Sequence, residues 1–166
     1  MSDTIGKGGG SRALVTSHLI LHCGNTEATI DFWCKGLGGE IEQDEELASA
    51  ALDAIFGRKG VRIRDTFIRI GGTRIHTIET LDVKRTRNST AEFEKPLGLS
   101  GVSFHVADLD EAHVRATSEG RSPTEIYSFS ELEEPVRMFF LEDPDGIRVE
   151  MIGDGSLGRS LDESST

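Results

Sequence analysis

Apolar and polar positions alternate most clearly between Val136 and Ile152, VRMFFLEDPDGIRVEMI. An apolar run, Val136 to Leu141, meets Glu142-Asp143-Pro144-Asp145-Gly146. Pro and Gly adopt turn angles at low cost, and Asp side chains cap their own turn, so this segment predicts the bend of a β-hairpin. The returning run, Ile147 to Ile152, puts Ile147, Val149 and Met151 on one face and Arg148, Glu150 and Ile152 on the other. Glu150 therefore sits mid-strand among apolar neighbours. A carboxylate there is costly unless it is paired, hydrogen-bonded or bound to a metal.

The same reading extends along the chain. Residues 1–12 hold GKGGGSR, which is glycine-rich and without period, and predict a disordered tail. Ala13 to Cys23 predicts a strand with His18, Ile20 and His22 on one face and Leu19, Leu21 and Cys23 on the other. Asn25 or Thr26 caps a helix over Glu27–Gly36, whose Ile30, Phe32, Trp33 and Leu37 fit a helical stripe. Glu40 to Gln43 reads as a short strand. Glu45 to Gly60 suits an amphipathic helix or a loop covering a pocket. Val61–Ile70 and Thr73–Leu81 alternate as strands around a Gly71-Gly72 hairpin turn. A polar stretch over 83–98 reads as a linker. Leu99–Val106 is a further strand, followed by a helix capped by Asp108 or Asp110 that runs to about Ser118 and ends at Gly120. Arg121 to Glu134 holds a short strand and a loop. Residues 154–166 form a polar tail.

The two halves repeat. Ser17-His18-Leu19-Ile20-Leu21-His22-Cys23 aligns with Ser100-Gly101-Val102-Ser103-Phe104-His105-Val106, and both are followed by a capped helix. The hairpin strand from Thr73 to Ile78 aligns with that from Ile147 to Ile152, which makes His76 the counterpart of Glu150 and Gly101 that of His18. Each half is βαβββ, and self-similarity on this scale implies two stacked copies of one unit. The expected division is module one at 13–82, a linker at 83–98 and module two at 99–153.

Composition narrows the function. The chain has 166 residues, 36% hydrophobic and 28% charged, which suits a soluble globular domain. A net charge of −11 argues against nucleic acid and anionic membrane as partners. No long apolar run and no charged-then-apolar leader stand out, so a cytoplasmic location is expected. The two cysteines, Cys23 and Cys34, form neither a CxxC nor a disulfide framework.

These pieces resemble the vicinal oxygen chelate superfamily, which includes glyoxalase I, fosfomycin-resistance enzymes, methylmalonyl-CoA epimerases, extradiol dioxygenases and bleomycin-resistance proteins. The resemblance rests on SHLILHCGNTEATIDFWCKGLGGEI, FIRIGGTRIHTIE, GVSFHVADLDEA and FFLEDPDGIRVEMI, and covers about residues 14–153. It implies an α+β fold in which paired βαβββ modules form a half-open β-barrel with helices outside, around a divalent metal held from the first and last strand of each module. His18 matches the first-strand histidine and Glu150 the last-strand glutamate. His76 falls where Glu or Gln is common, and Gly101 where a second histidine is common. The implied ligand set is His18, His76 and Glu150. Two imidazoles and a carboxylate suit Fe, Mn, Zn, Ni or Co.

Three functions fit. The first is a metal-dependent lyase or isomerase acting on a small oxygen-containing substrate through a metal-stabilised enolate. The second is a non-haem Fe(II) extradiol-type dioxygenase, and the third a metal-free small-molecule binding or resistance protein. His22 and His105 share strand faces with the ligand positions, and with Glu150 they are candidate acid–base catalysts, since free imidazole titrates near neutrality. Taken singly, a strand histidine is more often a hydrogen-bonded structural residue than a ligand. His113 reads as a surface residue, Glu79 as pointing away from His76, and Cys23 as buried and inert. The resemblance also implies a homodimer, with the barrel completed within or across subunits.

Overall fold

The computed structural model describes residues 16–84, 99, 101–129 and 136–153. The tails expected at 1–12 and 154–166 lie outside the described residues, as does the linker beyond Lys84. Among the described residues, two four-stranded mixed sheets, three α-helices and a π-helical stretch make an α+β fold. The first sheet holds β1 (Leu19–Cys23), β2 (Glu40–Leu47), β3 (Ile63–Ile70) and β4 (Thr73–Thr80) in the order β1-β4-β3-β2. The second holds β5 (Gly101–His105), β6 (Tyr127–Phe129), β7 (Val136–Glu142) and β8 (Arg148–Gly153) in the order β5-β8-β7-β6. In each, the first strand runs parallel to the last and the other pairs are antiparallel. One βαβββ topology thus occurs twice. Neither sheet closes into a barrel, as the half-open architecture requires.

The hairpin between β3 and β4 turns on Gly71 and Gly72, at φ 52° and 74°. Positive φ at both central positions is the type I′ requirement that glycine meets without strain. A two-residue loop fixes the register, so Phe67 faces His76 and Asp65 faces Ile78.

Helix α1 (Thr26–Ile30) begins at Asn25, whose side chain accepts from the Ala28 N–H, and continues as a π-helical stretch over Asp31–Gly36. Glu79 accepts the Thr26 N–H at 2.7 Å, which places a carboxylate at the positive end of the helix. Helix α2 (Ala50–Phe56), capped by Ser49 and ended by Gly57 at φ 67°, occupies the segment the sequence left open between helix and loop. Helix α3 (Leu109–Ser118) is capped by Asp108.

Strand β2 is longer than its sequence predicts, because EIEQDEEL is poor in strand formers. Arginines facing it offset the acids. Arg64 holds Asp44 bidentately at 2.8 and 2.6 Å and reaches Glu27 of α1 at 2.7 Å, Arg62 meets Glu46, and Arg69 and Arg74 share Glu42. Exposed pairs of this kind contribute little each, but together they remove the repulsion that would disfavour the strand.

A single buried cluster joins the halves. It combines Leu21, Ile68 and Ile75 of the first sheet, Phe139, Val149 and Met151 of the second, Phe32 and Trp33 from the start of the π-helical stretch, and Leu109 and Ala112 of α3. Each sheet therefore turns one face inward and leaves the other turned away from the shared core. Polar contacts also cross the junction. The Gly24 N–H donates to Asp145 at 2.8 Å, and Arg121 stacks on Phe32 at 5.1 Å while donating to the Asp31 carbonyl.

Asp143 anchors the β7–β8 turn from a buried position, with its Oδ1 accepting from the N–H groups of Asp145 and Ile147 at 3.0 and 2.8 Å. The Trp33 indole lies near this carboxylate but outside hydrogen-bond geometry. Burial pushes the carboxyl above its ordinary value and Asp145 adds to the rise, while the two amide donors oppose it. The folded chain then binds more protons than the unfolded chain just above pH 4, so this group's contribution to stability declines as pH rises through its folded pKa. Asp143→Asn keeps the acceptor oxygen and removes the charge. Relative to wild type it should gain stability between pH 4 and 7 in urea titrations, and an opposite slope would show that the ionised carboxylate is the stabilising form.

Candidate functional site

Parallel pairing of β1 with β4 sets Ile20 beside His76 and His22 beside Ile78 on the outward face of the first sheet. His18, just before β1, lies on that face as well. Its ring meets His76 edge-on at 5.3 Å and 80°, and Phe67 at 5.4 Å and 87°. Phe67 stacks flat on His76 at 4.2 Å and 8°, and the Arg74 guanidinium covers Phe67 from 4.7 Å. The structure thus brings together two of the three predicted ligands.

It adds a residue that the sequence reading missed. Asp65, only 6% exposed, places Oδ1 at 2.5 Å from His76 Nε2, and Gln43 reaches its other oxygen at 3.4 Å. The second ring nitrogen of His76, Nδ1, is buried and has no hydrogen-bond partner among the described residues.

Glu150 lies elsewhere. It stands on β8 between Ser103 of β5 and Phe140 of β7, half-buried, on the outward face of the second sheet. His76 and Glu150 hold equivalent places, each facing an aromatic ring across a hairpin, Phe67 in one half and Phe140 in the other. Their faces point away from the common core, however. Among the described residues no three His, Cys, Asp or Glu side chains gather as a metal-ligand group.

The two histidines considered for acid–base work are also separated. His22 is exposed near Phe56 of α2 and lines an open cleft with Ile20, Gly24 and Lys84. His105, also exposed, borders a cavity of about 180 Å³ between the modules, together with Phe104, Ala112, Arg115 and Phe139. His113 is not the free surface residue expected. It is half-buried, with Nε2 at 2.8 Å from the Thr124 carbonyl and its ring edge-on to Phe139. Glu79 points away from His76 as its parity required. Burial pushes the thiol pKa of both Cys23 and Cys34 up, which disfavours the reactive thiolate.

Gly101, the counterpart of His18, is confined. A Cβ built there would lie 2.6 Å from the Arg148 carbonyl oxygen and 3.2 Å from Arg148 Cβ. A side chain at this position would press on the β8 backbone, its ladder neighbour.

A family profile for the Glyoxalase/Bleomycin resistance protein/Dioxygenase superfamily matches residues 16–151. This chain belongs to that superfamily. Comparison with curated proteins gives no match. Solved glyoxalase-superfamily structures share the fold at low identity. A glyoxalase family protein from Bacillus cereus aligns with TM-score 0.73 and 18% identity over 87% of this chain and 97% of its own. A glyoxylase/bleomycin resistance protein/dioxygenase domain from Frankia sp. EAN1pec gives 0.62 and 16% over 86% and 98%. The fosfomycin resistance protein FosX from Listeria monocytogenes gives 0.58 and 17% over 85% and 93%. No helix among the described residues is long and apolar enough to cross a membrane.

Proposed function

We propose that this glyoxalase-superfamily chain is a divalent-metal-dependent enzyme of lyase or isomerase type acting on a small oxygen-containing substrate, with each site completed between two copies of the chain. The observation that carries this is the His18–His76 pair on one outward face, with His76 Nδ1 buried and without a partner among the described residues. An orphaned imidazole nitrogen beside a second imidazole fits two ligands of a metal such as Fe, Mn, Zn, Ni or Co. Glu150 supplies the third from a second copy, because within one chain it faces away from His18 and His76. When bound, the metal supplies Lewis acidity toward a substrate oxygen. The chain's own residues do the rest. Phe67 and Asp65 hold His76 in place. Glu150, or a histidine such as His22 or His105 on the open faces, takes the proton next to a carbonyl.

The test is elemental analysis of tag-free protein together with sedimentation. The expected result is near one equivalent of transition metal per chain in a dimer. His76→Ala and Glu150→Ala should each lose the metal while keeping the fold. Mixed dimers of the two variants should regain one site, since each supplies the module that the other lacks. No uptake from a supplied panel of the five metals would overturn the reading. Iron with O₂ consumption would favour the dioxygenase alternative. A metal-free binding protein is the second reading, and the close approach of the β8 backbone to Gly101 favours it.

A further inference from the structure

We infer that Asp65 is a positioning residue that locks His76 as the Nε2–H tautomer and so makes Nδ1 the nitrogen offered to a cation. This rests on the metal site proposed above. Asp65 is a buried carboxylate in the middle of a sheet, and such a group persists only when its oxygens are matched by donors. Its nearer partner is His76 Nε2 at 2.5 Å, and Gln43 Nε2 stands farther off at 3.4 Å. An ionised carboxylate only accepts, so the proton belongs on Nε2, and in a neutral ring the lone pair falls to Nδ1.

The ring has little freedom to change this assignment. Phe67 lies parallel to it and fixes its plane, while His18 meets it edge-on. A half-turn of the ring would take Nε2–H away from Asp65 and leave a buried carboxylate short of its donor. Nδ1 meanwhile has no partner among the described residues, a state that an electrophile would relieve. Histidines that bind metals commonly donate their other N–H to a carboxylate, which fixes the ring and raises its basicity. Asp65 stands in that relation to His76, although it is eleven residues away and on a different strand.

The experiment uses the full-length chain, ¹⁵N-labelled and metal-free, with the His76 tautomer read from two-bond ¹H–¹⁵N couplings. The expected result is the Nε2–H form in wild type and a mixture in Asp65→Ala. Titration with Co(II) and Zn(II) should then show affinity lowered about 10–100-fold in Asp65→Ala and in the isosteric Asp65→Asn, with Asp65→Glu recovering part of the loss. Urea unfolding of each variant separates this from a loss of fold. An Nδ1–H tautomer in wild type overturns the inference, and so does unchanged affinity in folded Asp65→Ala and Asp65→Asn. If wild type takes up neither metal, the proposed function fails, and the tautomer alone decides whether Asp65 sets the ring.

Discussion

Trp33→Ala is expected to cost about 3–5 kcal/mol of folding stability, the range for removing a fully buried large aromatic. Trp33 is 0% exposed. Its indole packs edge-on against Phe32 at 5.3 Å and against Phe104 of the second module at 6.2 Å. Its carbonyl also accepts the Gly39 N–H that closes the helix. Roughly 200 Å² of apolar surface at about 25 cal/mol per Å² gives a similar figure. Against a total of about 5–15 kcal/mol for a domain, that removes roughly a fifth or more. Urea unfolding followed by circular dichroism measures it, since Trp33 is the only tryptophan and the variant loses that fluorophore. Trp33→Phe should cost clearly less. A loss below about 1 kcal/mol in Trp33→Ala would mean that the two modules do not depend on this contact.

Gly101→His should destabilise the chain and should not add a metal ligand. The substitution looks like a restoration, because this is the position where a second-module histidine is common. The new Cβ would meet the Arg148 carbonyl oxygen at 2.6 Å. That oxygen belongs to the parallel β5–β8 ladder, so it moves only if the strand moves. Replacing a strand glycine normally gains about 0.5–1 kcal/mol of chain entropy. Overpacking against a well-ordered neighbour costs about 1–3 kcal/mol, and here it acts on backbone, so the net effect is a loss. Urea midpoints and metal stoichiometry on the same sample decide it. A variant as stable as wild type that binds additional metal would show that β5 can shift and that the position is still open.

Much of this arrangement was legible in the sequence. Period-two alternation gave the faces of β1, β4 and β8. The glycine pair at 71–72 gave a tight turn, and the repeat made His76 the counterpart of Glu150. Asp65 was within reach of the same logic. A two-residue turn makes paired positions sum to a constant, so Phe67 with His76 implies Asp65 with Ile78, one step along the same face. A carboxylate in the alternating run Ile63-Asp65-Phe67 was the signal, read in Glu150 but not here. The full length of β2 was hidden because its strand state depends on arginines supplied by other segments. Parity could not show that the faces bearing His76 and Glu150 point apart. It assigns side chains to a face but does not say what lies behind the opposite one.

The shared core has a consequence for how such a chain can change. Residues in or against the shared core, such as Trp33 and Phe104, answer to both modules at once, so change there is restrained from two sides. Outward residues answer mainly to whatever they bind. A repeated unit can therefore carry an imidazole at a given place in one half and a glycine in the other, as at His18 and Gly101, without disturbing the packing that both share. With the β8 backbone lying against Gly101, a single substitution there cannot add a side chain unless a strand moves. Close packing at Gly101 thereby helps to hold the two halves unlike one another.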